Sequence, residues 1–188
     1  DTKIGKRLIK RLKKMMETRQ PWVGAFLRTE VRTESNEGYI ELTTDVSSVH
    51  TVGAFCQVMR LQEDEKTAGL WKVLIQGIRR VKRTGVKEQQ KLLIATVENA
   101  IDEEYDEHDK RIDAYSREIL STLKDLMRLE PLYREHIGHS MKDVNNNIRK
   151  PEVLADFATG LTSASEAELQ EVLSELNVER RLERALEL

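Results

Sequence analysis

Near Ile101 the spacing of apolar residues changes, and that change limits the possible folds more than anything else in the chain. Between Trp22 and Ile101 apolar residues come in short runs or alternate with polar ones, which is the signature of strands. "WVGAFLRTEV", the segment after the Asn36-Glu37-Gly38 turn, "VHTVGAFCQVMRL", "GLWKVLIQGIRRVKR" and "KLLIATVENAI" give five short strands. Beyond Asp102 the period becomes helical: Ile112, Tyr115, Ile119, Leu123 and Leu126/Met127 share one stripe with charges opposite. Pro131 and Pro151 stand at first helical positions, where a missing N–H costs nothing. Ser165 and Glu168 have capping-box spacing, and Asn177 is a plausible cap for "VERRLERALEL". The expected fold class is α+β. A small, mostly antiparallel barrel or rolled sheet with one helix occupies 1–101, and a helical bundle occupies 102–188.

Charge divides at the same place. Residues 1–101 hold 19 Lys+Arg against 12 Asp+Glu, and residues 102–188 hold 12 against 21, so the halves carry +7 and −9. The basic half suits an anionic partner, and equally a second copy's acidic half. No apolar run approaches a membrane span. The first helix, "KIGKRLIKRLKKMMETRQP", places Ile4, Leu8, Leu12 and Met15/Met16 on one stripe and stops at Pro21. An amphipathic, acid-poor opening also fits a mitochondrial presequence or a membrane-surface helix; packing on the sheet is the preferred reading. A start at Asp1 without Met and an unterminated helical pattern at Leu188 lead one to expect a piece of a larger protein.

Catalytic and metal motifs are missing: no GxxxxGK[ST], GxSxG or GxGxxG occurs. His136 and His139 are near neighbours without a third ligand beyond generic carboxylates, and read as exposed polar residues. Cys56, the one cysteine, lies in a strand pattern and reads as a small core residue rather than a nucleophile. The segment "WKVLIQGIRRVKR" poses a sharper question. Trp71, Val73 and Ile75 alternate, which predicts that they face the core, and Gly77 permits a bulge that keeps Ile78 with them. Its end, Arg79, Arg80, Lys82 and Arg83, is a candidate for an interface or for nucleic-acid phosphates. Aromatics make up only 5% of the chain, too few to interleave with the basic residues as in a single-strand reader.

Five blocks in order resemble one family, the N-terminal domain of Lon, the ATP-dependent serine protease, and most closely its mitochondrial branch. They are "RQPWVGAFLR" (Arg19–Arg28), "VSSVHTVGAFCQVMRLQ" (Val46–Gln62), "WKVLIQGIRRVK", "LMRLEPLYREHI" (Leu126–Ile137) and "LADFATGLTSASEAELQEVLSELNVERRLERAL" (Leu154–Leu186). Glu130 stands where the family usually has Asn. The family's opening proline- and phenylalanine-bearing strand has no counterpart before the first helix, and Arg28–Asp45 matches poorly. The resemblance implies a PUA-like β subdomain followed by a helical subdomain that leads towards an ATPase module outside this sequence. It implies a non-catalytic role: recognition of unfolded or damaged proteins and assembly of a hexamer, with DNA as a further partner. ATP, Mg and the Ser-Lys catalytic pair would belong to the parent, no cofactor to this segment, and the mitochondrial matrix, or else a bacterial cytoplasm, would be its location. Substrate capture needs adaptable apolar surface, for which Met59, Leu61 and Met141 are candidates, with burial in the core as the competing reading.

Overall fold

A computed structural model of the chain describes residues 3–29, 43–67, 69–89, 91–106, 108–129, 134 and 147–188. The chain forms two compact units, Asp1–Ala100 and Ile101–Leu188. It is α+β, as the change in period predicts. The expected strand after the Asn36-Glu37-Gly38 turn, most of the helix begun by Pro131, and both His136 and His139 lie outside the described residues.

In the first unit, α1 (Lys3–Glu17) is followed by β1 (Trp22–Ala25), β2 (Val52–Glu63), β3 (Trp71–Glu88) and β4 (Ile94–Asn99). The strands form one antiparallel sheet in the order β1-β2-β3-β4. Helix α1 ends before Pro21. Arg19 adopts φ 56°, and the N–H groups of Gln20 and Arg19 close back onto the carbonyls of Met15 and Met16 at 2.9 and 3.2 Å. This is a Schellman stop with arginine in the position glycine usually takes. Leu12 is buried, and Lys13 holds its ammonium 4.0 Å from the Trp71 ring centroid. The helix therefore lies on the sheet face that carries Trp71, which also carries buried Cys56 and Val58. Burying a leucine such as Leu12 contributes about 1.5–3 kcal/mol.

The sheet is staggered. Strand β1 reaches only Ala54–Gln57 of β2, and β4 pairs β3 only from Val81 onward. Where the reach of β1 ends and that of β4 begins, around the Gly53–Val81 pair, one face of the sheet is closed over. The Phe26 ring lies against both Gly24 and Gly53: a Cβ at Gly53 would come within 2.3 Å of the Ala25 carbonyl and 2.5 Å of that ring. Val81 and Val49 are buried there. Asp45 caps the short turn Val46–Ser48 by accepting from Ser47 N–H.

The second unit consists, among the described residues, of α2 (Lys110–Leu129), α3 (Pro151–Thr159), α4 (Glu166–Ser174) and α5 (Val178–Glu187). Its core unites Ile112, Ile119 and Leu123 of α2 with Leu154, Ala155 and Ala158 of α3 and Val178, Leu182 and Ala185 of α5. The local signals act where the sequence places them. Pro151 opens α3, Ser165 and Glu168 form a complete capping box on α4, and Asn177 accepts from Arg180 N–H at the start of α5. Arg181 was not singled out by the sequence, yet it is fully buried. It pairs with Asp102 at 2.8 Å and approaches Asp156 at 3.9 Å.

Candidate functional site

Among the described residues no group of three or more His, Cys, Asp or Glu could hold a metal ion, and no helix is long and apolar enough to cross a membrane. Cys56 is buried, and that burial pushes its thiol pKa up, away from the thiolate a nucleophile needs. The chemistry of the first unit lies instead in an exposed part of its sheet.

Past Gly77, towards the β2–β3 turn, β3 has, among the described residues, only β2 as a strand neighbour. The two strands continue as a ribbon, Val58–Glu63 against Trp71–Ile75. Two bulges shape it, with Met59 as the extra residue on β2 and Ile78 on β3. The sequence leads one to expect Val73, Ile75 and Ile78 in the core. The structure corrects this: they are 38%, 42% and 49% exposed, and Leu74 between them is 61% exposed. The bulge beside Gly77 exists, but it does not bury Ile78. Among the described residues β1 and β4 stop short of this stretch, and α1, on the face that carries Trp71, still leaves Val73 and Ile75 more than a third exposed. A short apolar run reads the same way whether or not such a cover exists.

Met59 is 49% exposed, and Leu61 is half-buried and registers directly opposite Val73. The ribbon thus carries Leu61, Val73 and Ile75 on one face and Leu74 on the other, with Met59 at the bulge between Val58 and Arg60. Met141 lies outside the described residues. Val73, Leu74 and Ile75 are the members that sequence reasoning missed. The available signal was three consecutive apolar residues, which strand alternation cannot place on a single face.

The tip of the ribbon is held by charge and turn geometry. Asp64 accepts from the N–H groups of Lys66 and Thr67 and from the Lys72 ammonium at 2.7 Å. The Lys72 bond comes first among the causes that hold the Asp64 carboxyl below its ordinary value. Gly69 turns the chain with φ 85° and donates its N–H to Glu63.

The basic run is split rather than continuous. From Arg79 to Arg83 the register is regular, so Arg79, Val81 and Arg83 share one face and Arg80 and Lys82 the other. Arg79 sits 4.7 Å from the Phe55 ring centroid, and Trp22 stacks on that ring from β1 at 5.3 Å and 15°. This stack ties β1, β2 and β3 together at the root of the ribbon. Arg83 donates to the Val46 and Val49 carbonyls, both at 3.4 Å, and so fixes the turn above the sheet. Arg80 is half-buried and Lys82 exposed.

Three kinds of similarity accompany this geometry. The family described as the ATP-dependent protease La (LON) substrate-binding domain matches residues 3–188. The chain is 31% identical over 217 residues to a mitochondrial Lon protease homolog of Ostreococcus lucimarinus and 26% identical over 228 residues to that of Homo sapiens. Each alignment covers 97% of this chain and 23% of the relative, so the chain spans about a quarter of the length of these curated relatives. A Lon protease of Protochlamydia amoebophila is 34% identical over 148 residues, covering 74% of this chain and 16% of that relative. The fold is similar to a Lon N-terminal domain protein from Xanthomonas campestris, with a TM-score of 0.58 at 13% identity, over 96% of this chain and 83% of that one. It is also similar to the N-terminal domain of a Mycobacterium avium complex Lon protease, with a TM-score of 0.55 at 19% identity, over 74% and 69% of the two chains.

Proposed function

The chain belongs to the Lon substrate-binding domain family, and from that membership we propose that it holds unfolded or damaged polypeptide for an ATP-dependent Lon-type serine protease. The observation that carries this reading is the apolar ribbon. Monomeric proteins seldom leave contiguous apolar side chains uncovered unless something binds them. Here Met59, Val73, Leu74 and Ile75 stand exposed on a ribbon whose root is fixed by the Trp22–Phe55–Arg79 stack and whose tip is fixed by Asp64. Methionine and branched side chains on a firm support suit occupants of varied sequence.

In this reading the part over 1–101 presents the binding surface, and the part over 102–188 leads towards the ATPase module of the parent. ATP, Mg and the catalytic pair act in that parent, which works as a hexamer. The names of the relatives favour the mitochondrial matrix, and the bacterial relative keeps a bacterial cytoplasm as the alternative.

The test is binding of a reduced, carboxymethylated, permanently unfolded protein to this chain and to a variant with Val73→Ser, Leu74→Ser and Ile75→Ser together. Loss of three partly exposed apolar side chains is expected to weaken binding about tenfold or more. Equal affinity of both chains would remove the ribbon from the site.

A further inference from the structure

The ribbon offers more than apolar side chains, because among the described residues nothing pairs with one of its backbone edges. Val58 donates its N–H to the Pro21 carbonyl at 2.7 Å, on the β1 side of β2. Val58 and its cross-strand partner Ile75 therefore do not exchange hydrogen bonds, and Ile75 turns its N–H and C=O away from β2. The bulge at Met59 lies on β2, and β3 itself has no extra residue from Val73 to Gly77, so by strand alternation Val73 and Gly77 point the same way as Ile75. Among the described residues nothing bonds to these outward groups. Natural edge strands are blunted by lysines, prolines or bulges that interrupt them. In β3 the lysine (Lys72) and the bulge (Ile78) bracket the stretch and leave Val73, Leu74 and Ile75 uninterrupted and exposed between them.

We propose that the outer edge of β3 from Val73 to Gly77 takes up an extended segment of an unfolded polypeptide as an added β-strand. This rests on the polypeptide-holding role proposed above and assigns its mode of binding. Main-chain bonds recruit any extended sequence, while Val73, Leu74, Ile75 and Ile78 select for apolar side chains at intervals. Charge narrows the occupant further. Between Trp71 and Lys87 the strand carries Lys72, Arg79, Arg80, Lys82, Arg83 and Lys87 and no acidic residue, which favours a neutral or acidic segment. The same charges disfavour a second copy, since antiparallel pairing of two such edges brings Lys72 of one near Arg79 of the other.

The experiment uses a short synthetic peptide of alternating valine and threonine with acidic ends, and two N-methylated forms. Methylation along one edge leaves the other edge able to pair, and binding is retained. Methylation along both edges removes the donors and is expected to weaken binding about tenfold or more, although the peptide becomes more apolar. Ile75→Pro, which deletes an outward N–H without touching a β2–β3 bond, should act in the same direction. If the fully methylated peptide binds as well as the parent peptide, strand addition is overturned while polypeptide holding stands. If neither the peptide nor an unfolded protein binds at all, both readings fall. A self-associated chain that Ile75→Pro dissociates, with peptide affinity unchanged, would give the edge to a second copy and also overturn the proposal. Should Ile75→Pro fail to fold, the methylation series decides alone.

Discussion

Helix α5 and the outer half of β3 are both rich in apolar and basic residues, yet their residues meet opposite fates. In α5, Val178, Leu182 and Ala185 are buried, and even Arg181 on the same stripe is taken wholly inside and paired with Asp102. In β3, Val73, Leu74, Ile75 and Ile78 stay exposed, and the basic residues are spread over both faces. The difference lies in what surrounds each element. A helix with one apolar stripe is satisfied by packing on one side, which α2 and α3 together provide. A strand with apolar residues on both faces needs cover on both faces and a neighbour on each edge, and among the described residues this stretch of β3 has β2 as its one strand neighbour. The helical unit is built for stability, and the ribbon keeps surface available.

Substitutions in the two regions can break this contrast. The largest effect is expected from Leu182→Ala, which empties a fully buried site and should cost about 3 kcal/mol in chemical denaturation. Ile75→Ala, at a site 42% exposed, should cost less than about 1 kcal/mol in the same assay. Comparable losses at both sites would mean that the ribbon is core after all.

A pair of glycines sharpens the comparison within the sheet. Gly53→Ala drives a methyl into the Ala25 carbonyl and the Phe26 ring, and an expected loss of about 1–3 kcal/mol should show in thermal unfolding. Gly77→Ala meets nothing within 4 Å and should leave the melting temperature nearly unchanged. Next in size is Ser165→Ala, which removes the capping box of α4 and should cost about 1 kcal/mol. It should also return the Glu168 carboxyl, held low first of all by its Ser165 bond, towards its ordinary pKa, as read by NMR titration.

The smallest effect concerns the ribbon tip. The folded pKa of Asp64 lies below its ordinary value of 3.8. Its ordering of the tip is therefore present above that value and lost as pH falls through the folded value. Protection of the Lys66 and Thr67 amides, relative to their intrinsic exchange at each pH, should fall over that acid range, and Lys72→Met should move the onset to higher pH.

What was legible in the sequence was mostly local. Pro151, the Ser165 and Glu168 pair, and Asn177 act through bonds within a turn of their own helix, so a single segment carries the information. The stripe of α2 was equally plain. Cover over a strand, by contrast, depends on how far β1 and β4 reach along their neighbours, and nothing in "WKVLIQGIRR" states that reach. Arg181 illustrates a readable signal that was passed over. It sits three residues after Val178 and one before Leu182, a position on the apolar stripe, although its partner Asp102 is remote in sequence. Arg79 and Arg83 were suspected of contacts with a partner; what places them is the Phe55 ring and the Val46 and Val49 carbonyls, which only the folded register brings near.

The most direct test of this contrast is residue-resolved amide hydrogen exchange with and without a saturating unfolded polypeptide. The account predicts new protection concentrated at Val73, Ile75 and Gly77, with α5 unchanged. Saturated binding that leaves those three amides as exchangeable as before would contradict it.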